Sequence, residues 1–97
     1  MSYHIELLDT AITDLQESYD WYEERRTGLG EEFAEEVDEY LFLVAKTPYH
    51  FAVQFSEKYR FAPLHRFPFR IVYYIDEEPK IIFVTAIFHT SRDPKRF

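Results

Sequence analysis

The sequence predicts an α+β domain in two layers: an N-terminal strand, an α-helical hairpin, then three or four antiparallel strands. Three observations carry that expectation. Apolar residues recur at about 3.6-residue spacing through the first half of the chain. After Pro48 the spacing changes to about 2, as it does where helices give way to strands. Between the two helical stretches stands Gly28-Leu29-Gly30, where glycine lets a helix end and the chain reverse.

In chain order, Tyr3 to Leu8 alternates Ile5 and Leu7 with His4 and Glu6, the pattern of a half-buried strand. The first helix follows, with Asp9 or Thr10 placed to cap its first amides. Ala11, Leu15, Tyr19 and Tyr22 form its stripe, Ile12 broadens it, and Arg25 and Arg26 oppose its negative end. Trp21 and Tyr22 read as anchors of this helix on the sheet. The second helix places Leu29, Phe33, Val37, Leu41 and Val44 on one stripe with Tyr40 beside it, and stops before Pro48. Glu31, Glu32, Glu35, Glu36, Asp38 and Glu39 read as its solvated face.

Strands are expected over Lys58 to Arg66, Phe69 to Ile75 and Lys80 to Phe88, with a further short one near Ala52 to Phe55. Phe67-Pro68-Phe69 reads as a turn that also fills the core. Ile81-Ile82-Phe83-Val84 is apolar on both faces and belongs in the middle of the sheet. Helices cover only one face, so the second calls for another chain or for the loop Tyr49 to Glu57 folded back.

Ninety-seven residues allow one domain, 1–97, and the 46% apolar share, with ten Phe, eight Tyr and one Trp, supplies a core. With no cysteine there are no disulfides or thiolate metal sites, and a small acidic domain without crosslinks suits the cytoplasm. The first ten residues show no secretory pattern, and Ile81 to Phe88 falls far short of the roughly 20 apolar residues of a membrane helix, so no membrane role is expected. The net charge of −7 is unevenly spread. Residues 1–47 set thirteen acids against Arg25, Arg26 and Lys46, whereas residues 48–97 set five acids against eight bases. A local anion-binding face fits this division, but the acidic body repels a large polyanion, and no sequence-specific DNA binding by the chain alone is expected.

No nucleophile elbow, glycine-rich phosphate loop or His-Glu-x-x-His motif is present. His4, His50, His65 and His89 lack metal-ligand spacing, so no metal and no cofactor are expected. Arg60, Arg66, His89 and Arg92 fall on strands or strand ends of one sheet, where their heads can converge on a phosphate. Arginine stabilises charge on a pentacovalent phosphorus, and histidine, with a free pKa of about 6.5, can move a proton at the 2′-hydroxyl or the leaving oxygen. If the chain is an enzyme, that chemistry is metal-free RNA cleavage. The other reading is that these residues pair with Glu57, Asp76 or Asp93, or grip an acidic partner peptide. Arg92-Asp93-Pro94 also reads as a structural corner.

Over nearly its whole length the chain resembles the RelE/ParE toxin superfamily, the toxin halves of bacterial type II toxin–antitoxin pairs, often called plasmid stabilisation proteins. The resemblance rests on Asp14-Leu15, Asp20-Trp21-Tyr22, Gly28-Leu29-Gly30 with Phe33, Pro48, Arg60, Arg66-Phe67-Pro68-Phe69 with Ile71 and Tyr73, and His89 with Arg92-Asp93-Pro94. It implies a RelE-like fold and a growth-inhibiting toxin neutralised by a cognate antitoxin whose extended or helical segment wraps the sheet and helices. RelE-like members cut messenger RNA on the ribosome, and ParE-like members poison DNA gyrase. Arg60, Arg66, His89 and Arg92 resemble the residues of the ribonuclease branch. The loop Tyr49 to Glu57, however, lacks the basic residues with which that branch grips ribosomal RNA. Trp21-Tyr22 and Phe67-Pro68-Phe69 look more like the ParE-like branch, which the resemblance therefore favours. A ribosome-dependent endoribonuclease and a non-toxic, partner-binding family member stand as the alternatives.

Overall fold

The computed structural model describes residues 3–54 and 57–90. Its elements are β1 (His4–Leu7), α1 (Asp9–Arg25), α2 (Leu29–Lys46), β2 (Arg60–Pro63), β3 (Phe69–Asp76) and β4 (Ile81–His89). Both helices lie on one face of a four-stranded sheet of order β1-β4-β3-β2. The last three strands are antiparallel neighbours, as expected, but β1 pairs with β4 in parallel, from His4 with Ile81 to Leu7 with Val84. The two helices carry the chain from β1 across to β2 at the opposite edge, and β2 and β3 then bring it back to β4, so the parallel neighbours are joined by a long connection. β4 therefore lies between β1 and β3, as its two apolar faces demand.

Where β1 ends, α1 takes over the open edge of β4. Leu8 N–H donates to Val84 O at 2.9 Å, the Thr10 hydroxyl donates to Thr85 O at 2.5 Å, and Asp14 Oδ2 accepts the Ile87 amide at 3.1 Å. The four-residue spacing of Thr10 and Asp14 puts both on one helix face, one turn apart. This use of Thr10 explains why the expected side-chain cap is absent. Leu8 occupies the cap position, and Asp9 lies in the first turn, where its charge favours the helix dipole.

The core lies between sheet and helices, with Phe33, Val37 and Val44 of α2 fully buried against Ile71, Tyr73, Ile82, Val84 and Ile87. The stripe of α1 is narrower than the sequence suggests. Ala11, Asp14 and Ser18 are its buried residues, whereas Ile12 faces water. Neighbouring helical residues point about 100° apart, so only one of Trp21 and Tyr22 can face inward. That residue is Tyr22, with ring centroids 5.3 Å from Phe33 and 5.0 Å from Phe67. Trp21 is 51% exposed and is not an anchor on the sheet.

On the opposite face Phe61, Val72, Ala86 and Phe88 form a second buried cluster with Tyr59 packed against it. The loop after Pro48 folds back beside β2: Gln54 N–H donates to Tyr59 O and Phe61 N–H to Ala52 O. The strand expected near Ala52 to Phe55 reduces to a single bridge between Val53 and Arg60, with Phe55 outside the described residues. Among the described residues, no helix is long and apolar enough to cross a membrane.

Candidate partner-binding site

Two buried or half-buried carboxylates build the end of the molecule where the hairpin turns. Gly28 holds φ +92°, and Gly30 brings the helices so close that a Cβ there would lie 2.7 Å from Tyr19 O. Glu23 of α1 accepts the amides of Gly28 and Gly30, each at 2.9 Å, and so caps α2 from the preceding helix. Glu36, read from the sequence as part of a solvated face, is only 6% exposed. Its carboxylate accepts the backbone N–H groups of His65, Arg66 and Phe67 at 2.9–3.2 Å. That turn needs an acceptor because β2 stops at Pro63, three residues earlier than expected.

The anchored turn presents Phe67, Pro68 and Phe69 to the C-terminal half of α1. A cleft of about 710 Å³ opens between them. Trp21 and Tyr22 wall it on the helix side, Pro68 and Phe69 on the turn side, and Glu17, Ser18 and His89 supply its polar atoms. The His89 ring meets Phe69 edge-on at 5.0 Å. The Arg25 guanidinium lies 3.8 Å over the Trp21 ring and closes one face of the indole. Burial pushes the Tyr22 phenol above its ordinary pKa, which keeps that side chain neutral.

Of the sequence-predicted site residues, His89 lines this cleft, whereas Arg60 and Arg66 do not. Arg66 reaches back to α2 and donates to Glu32 Oε1 at 2.7 Å, while Arg26 donates to Glu32 Oε2 at 3.1 Å. Arg66, then Arg26, hold the Glu32 carboxyl below the usual carboxylate range. Neither Glu57 nor Asp76, the acids expected to pair with arginine, fills that role for Arg66. Arg60 donates to Phe51 O at 2.7 Å and lies 4.9 Å from the Tyr49 ring centre. Arg60 is in register with Tyr73 and His89 with Phe69, four residues apart along β3. That separation is about 13 Å along the strand, at roughly 3.3 Å per residue, with two strand spacings in addition. Arg92 lies outside the described residues. Beside Arg60, Tyr73 is fully buried and donates to Pro48 O at 2.7 Å; burial pushes its phenol up to about 12, and Arg60 opposes the shift. Among the described residues no group of His, Asp and Glu is arranged to hold a metal ion.

Comparison with protein families matches residues 5–94 to the ParE toxin of type II toxin–antitoxin systems, parDE. The chain belongs to the ParE toxin family. It is the toxin component of a type II toxin–antitoxin system, within the wider RelE/ParE superfamily. Solved structures share its fold at low identity. The chromosomal ParDE system of P. aeruginosa superposes with TM-score 0.78 at 19% identity, over 93% of this chain and 98% of that one. The intact E. coli RelBE toxin–antitoxin complex gives 0.73 at 17% identity, over 94% and 100%. The RelBE2 toxin–antitoxin complex of Mycobacterium tuberculosis gives 0.68 at 19%, over 92% and 99%. No curated protein matches the sequence. Glu23 and Glu36 were not singled out in the sequence, and Asp14 was quoted there only for the resemblance, without its role as acceptor of the Ile87 amide. The one available signal was placement, since Glu36 stands three residues after Phe33 and next to Val37, at the border of the apolar stripe.

Proposed function

We propose that this toxin acts by binding, inhibiting a bacterial protein target such as DNA gyrase in the cytoplasm, and that a cognate antitoxin protein neutralises it. The observation that carries this reading is the match of residues 5–94 to the ParE toxin family. The dispersal of the described cations adds to it. Arg60 and Arg66 are engaged at separate places, the first with Phe51 O and the second with Glu32, and are not poised around one phosphate-sized space. Structural neighbours solved as toxin–antitoxin systems support the antitoxin partner. Inducing the chain in bacterial cells, with and without the product of the adjacent reading frame, tests the proposal. Growth arrest with intact messenger RNA, relieved by the neighbour, is the expected result. Absence of arrest would instead indicate a partner-binding family member without toxicity.

One observation favours a second reading. His89, a candidate proton carrier, lines a cleft walled by the rings of Trp21 and Tyr22, on which a base can stack. In this reading Arg60, Arg66, His89 and Arg92 serve a ribosome-dependent, metal-free endoribonuclease. Primer extension on transcripts then shows cleavage in the ribosomal A site that Arg92→Ala abolishes without unfolding the chain. Unchanged cleavage in that variant removes the assignment.

A further inference from the structure

The cleft between α1 and the turn at Pro68 opens beside the core residues Tyr22 and Phe69. Its volume, about 710 Å³, lies within the roughly 300–1,000 Å³ of ordinary ligand pockets. Its walls are aromatic rings and a proline, and Trp21, half exposed, stands at its rim. An exposed indole at the edge of a mostly aromatic cleft suits the burial of an apolar anchor side chain.

Charge decides between occupants. Glu17 and Glu24 lie one helical turn before and after Trp21, and Asp20 adjoins it, all of them exposed. The one cation on this stretch of α1 that meets the indole, Arg25, is laid over its face. Arg66 donates to Glu32, with its guanidinium 5.4 Å from the Phe67 ring centre, and is not among the residues that line the cleft. Among the described residues a nucleotide phosphate would therefore meet the Glu17 carboxylate, with Asp20 and Glu24 on the same helix, whereas a lysine or arginine would be attracted.

We infer that this cleft is a docking site for a protein segment that inserts an aromatic or branched apolar side chain against Trp21 and Tyr22 and sets a neighbouring cation against Glu17 and Asp20. The inference rests on the reading that this toxin works through protein partners, and adds where and by what chemistry one of them is gripped.

Three probes test it: a capped pentapeptide with phenylalanine followed by two lysines, its counterpart with two glutamates, and adenosine monophosphate. Trp21 is the chain's one tryptophan, so its emission reports on the cleft directly, and amide NMR shifts map the contact. The lysine peptide is expected to perturb Ser18, Trp21 and His89 and to bind about five-fold more tightly than the glutamate peptide at low salt, the gap narrowing as salt rises. The double variant Glu17→Gln, Asp20→Asn should erase that preference, and Trp21→Ala, an exposed position, should weaken both peptides while the fold persists. Stronger binding by adenosine monophosphate, or lysine-peptide shifts that fall elsewhere, overturns the inference. If the wild-type chain arrests growth yet the lysine peptide leaves the cleft untouched, this inference fails alone. If the peptide docks there and the chain neither arrests growth nor inhibits gyrase, the toxin reading fails alone.

Discussion

Replacing Glu36 with alanine removes the acceptor of three backbone donors in one step. His65 and Arg66 are exposed, so water can reach their freed amides, and these two lose only the net value of a charge-assisted bond. Phe67 is buried, and its amide bears the desolvation penalty of about 1–3 kcal/mol for an unsatisfied donor. With partial relaxation of the turn, the whole change is expected to cost about 2–4 kcal/mol, a large share of the roughly 5–15 kcal/mol that holds a domain together. Glu36→Gln keeps one acceptor oxygen but points an amide N–H₂ at another donor, and should cost about half as much. Urea denaturation followed by circular dichroism measures both, and a melting point lower by about 10–20 °C accompanies the alanine variant. Glu35→Ala, on the exposed side of the same helix, serves as the control and should stay within about 0.5 kcal/mol of wild type. If Glu36→Ala matches that control, the carboxylate does not hold the turn and the reasoning is wrong.

Gly30→Ala should cost about 1–3 kcal/mol in the same assay, because its Cβ meets the Tyr19 carbonyl and Glu23. Gly28→Ala, with open space but φ +92°, should cost about 1–2 kcal/mol through backbone strain alone. Asp14→Ala strips the Ile87 amide of its acceptor and should cost about 1–3 kcal/mol, with faster hydrogen exchange at Ile87 as the local readout. Tyr73 has its folded pKa raised to about 12 from an ordinary 10.0, so the neutral phenol favours the fold. Its contribution is complete below pH 10 and is lost as pH rises through 10 towards 12; Tyr73→Phe should flatten stability over that window while costing about 0.5–1.5 kcal/mol at neutral pH for the lost bond to Pro48 O.

The backbone plan was legible because periodicity reports burial. Phe33, Val37 and Val44 marked the inner face of α2, and Ile81-Ile82-Phe83-Val84 marked a strand covered on both sides. Parallel pairing of β1 was not legible, since alternation in Tyr3 to Leu8 shows which side chains are buried and says nothing of strand direction. The roles of Asp14 and Glu36 escaped for a different reason. Their partners are backbone amides 73 and about 30 residues away, and a carboxylate that serves such amides looks the same in sequence as one in water. Of the candidate site, Trp21, Tyr22, Phe67, Pro68 and His89 were all singled out, but with Trp21 assigned to the core. A helix of 100° per residue cannot bury two adjacent rings equally, and the core took Tyr22. The sequence did not show that Glu32 holds Arg66, one of the arginines expected to gather, together with Arg26 at the helix surface.

Supercoiling of relaxed plasmid by purified DNA gyrase, titrated with this toxin in the absence of any antitoxin, tests the proposed action most directly. Binding-type toxicity predicts progressive loss of supercoiled product as toxin is added. Undiminished supercoiling at saturating toxin would contradict gyrase as its target.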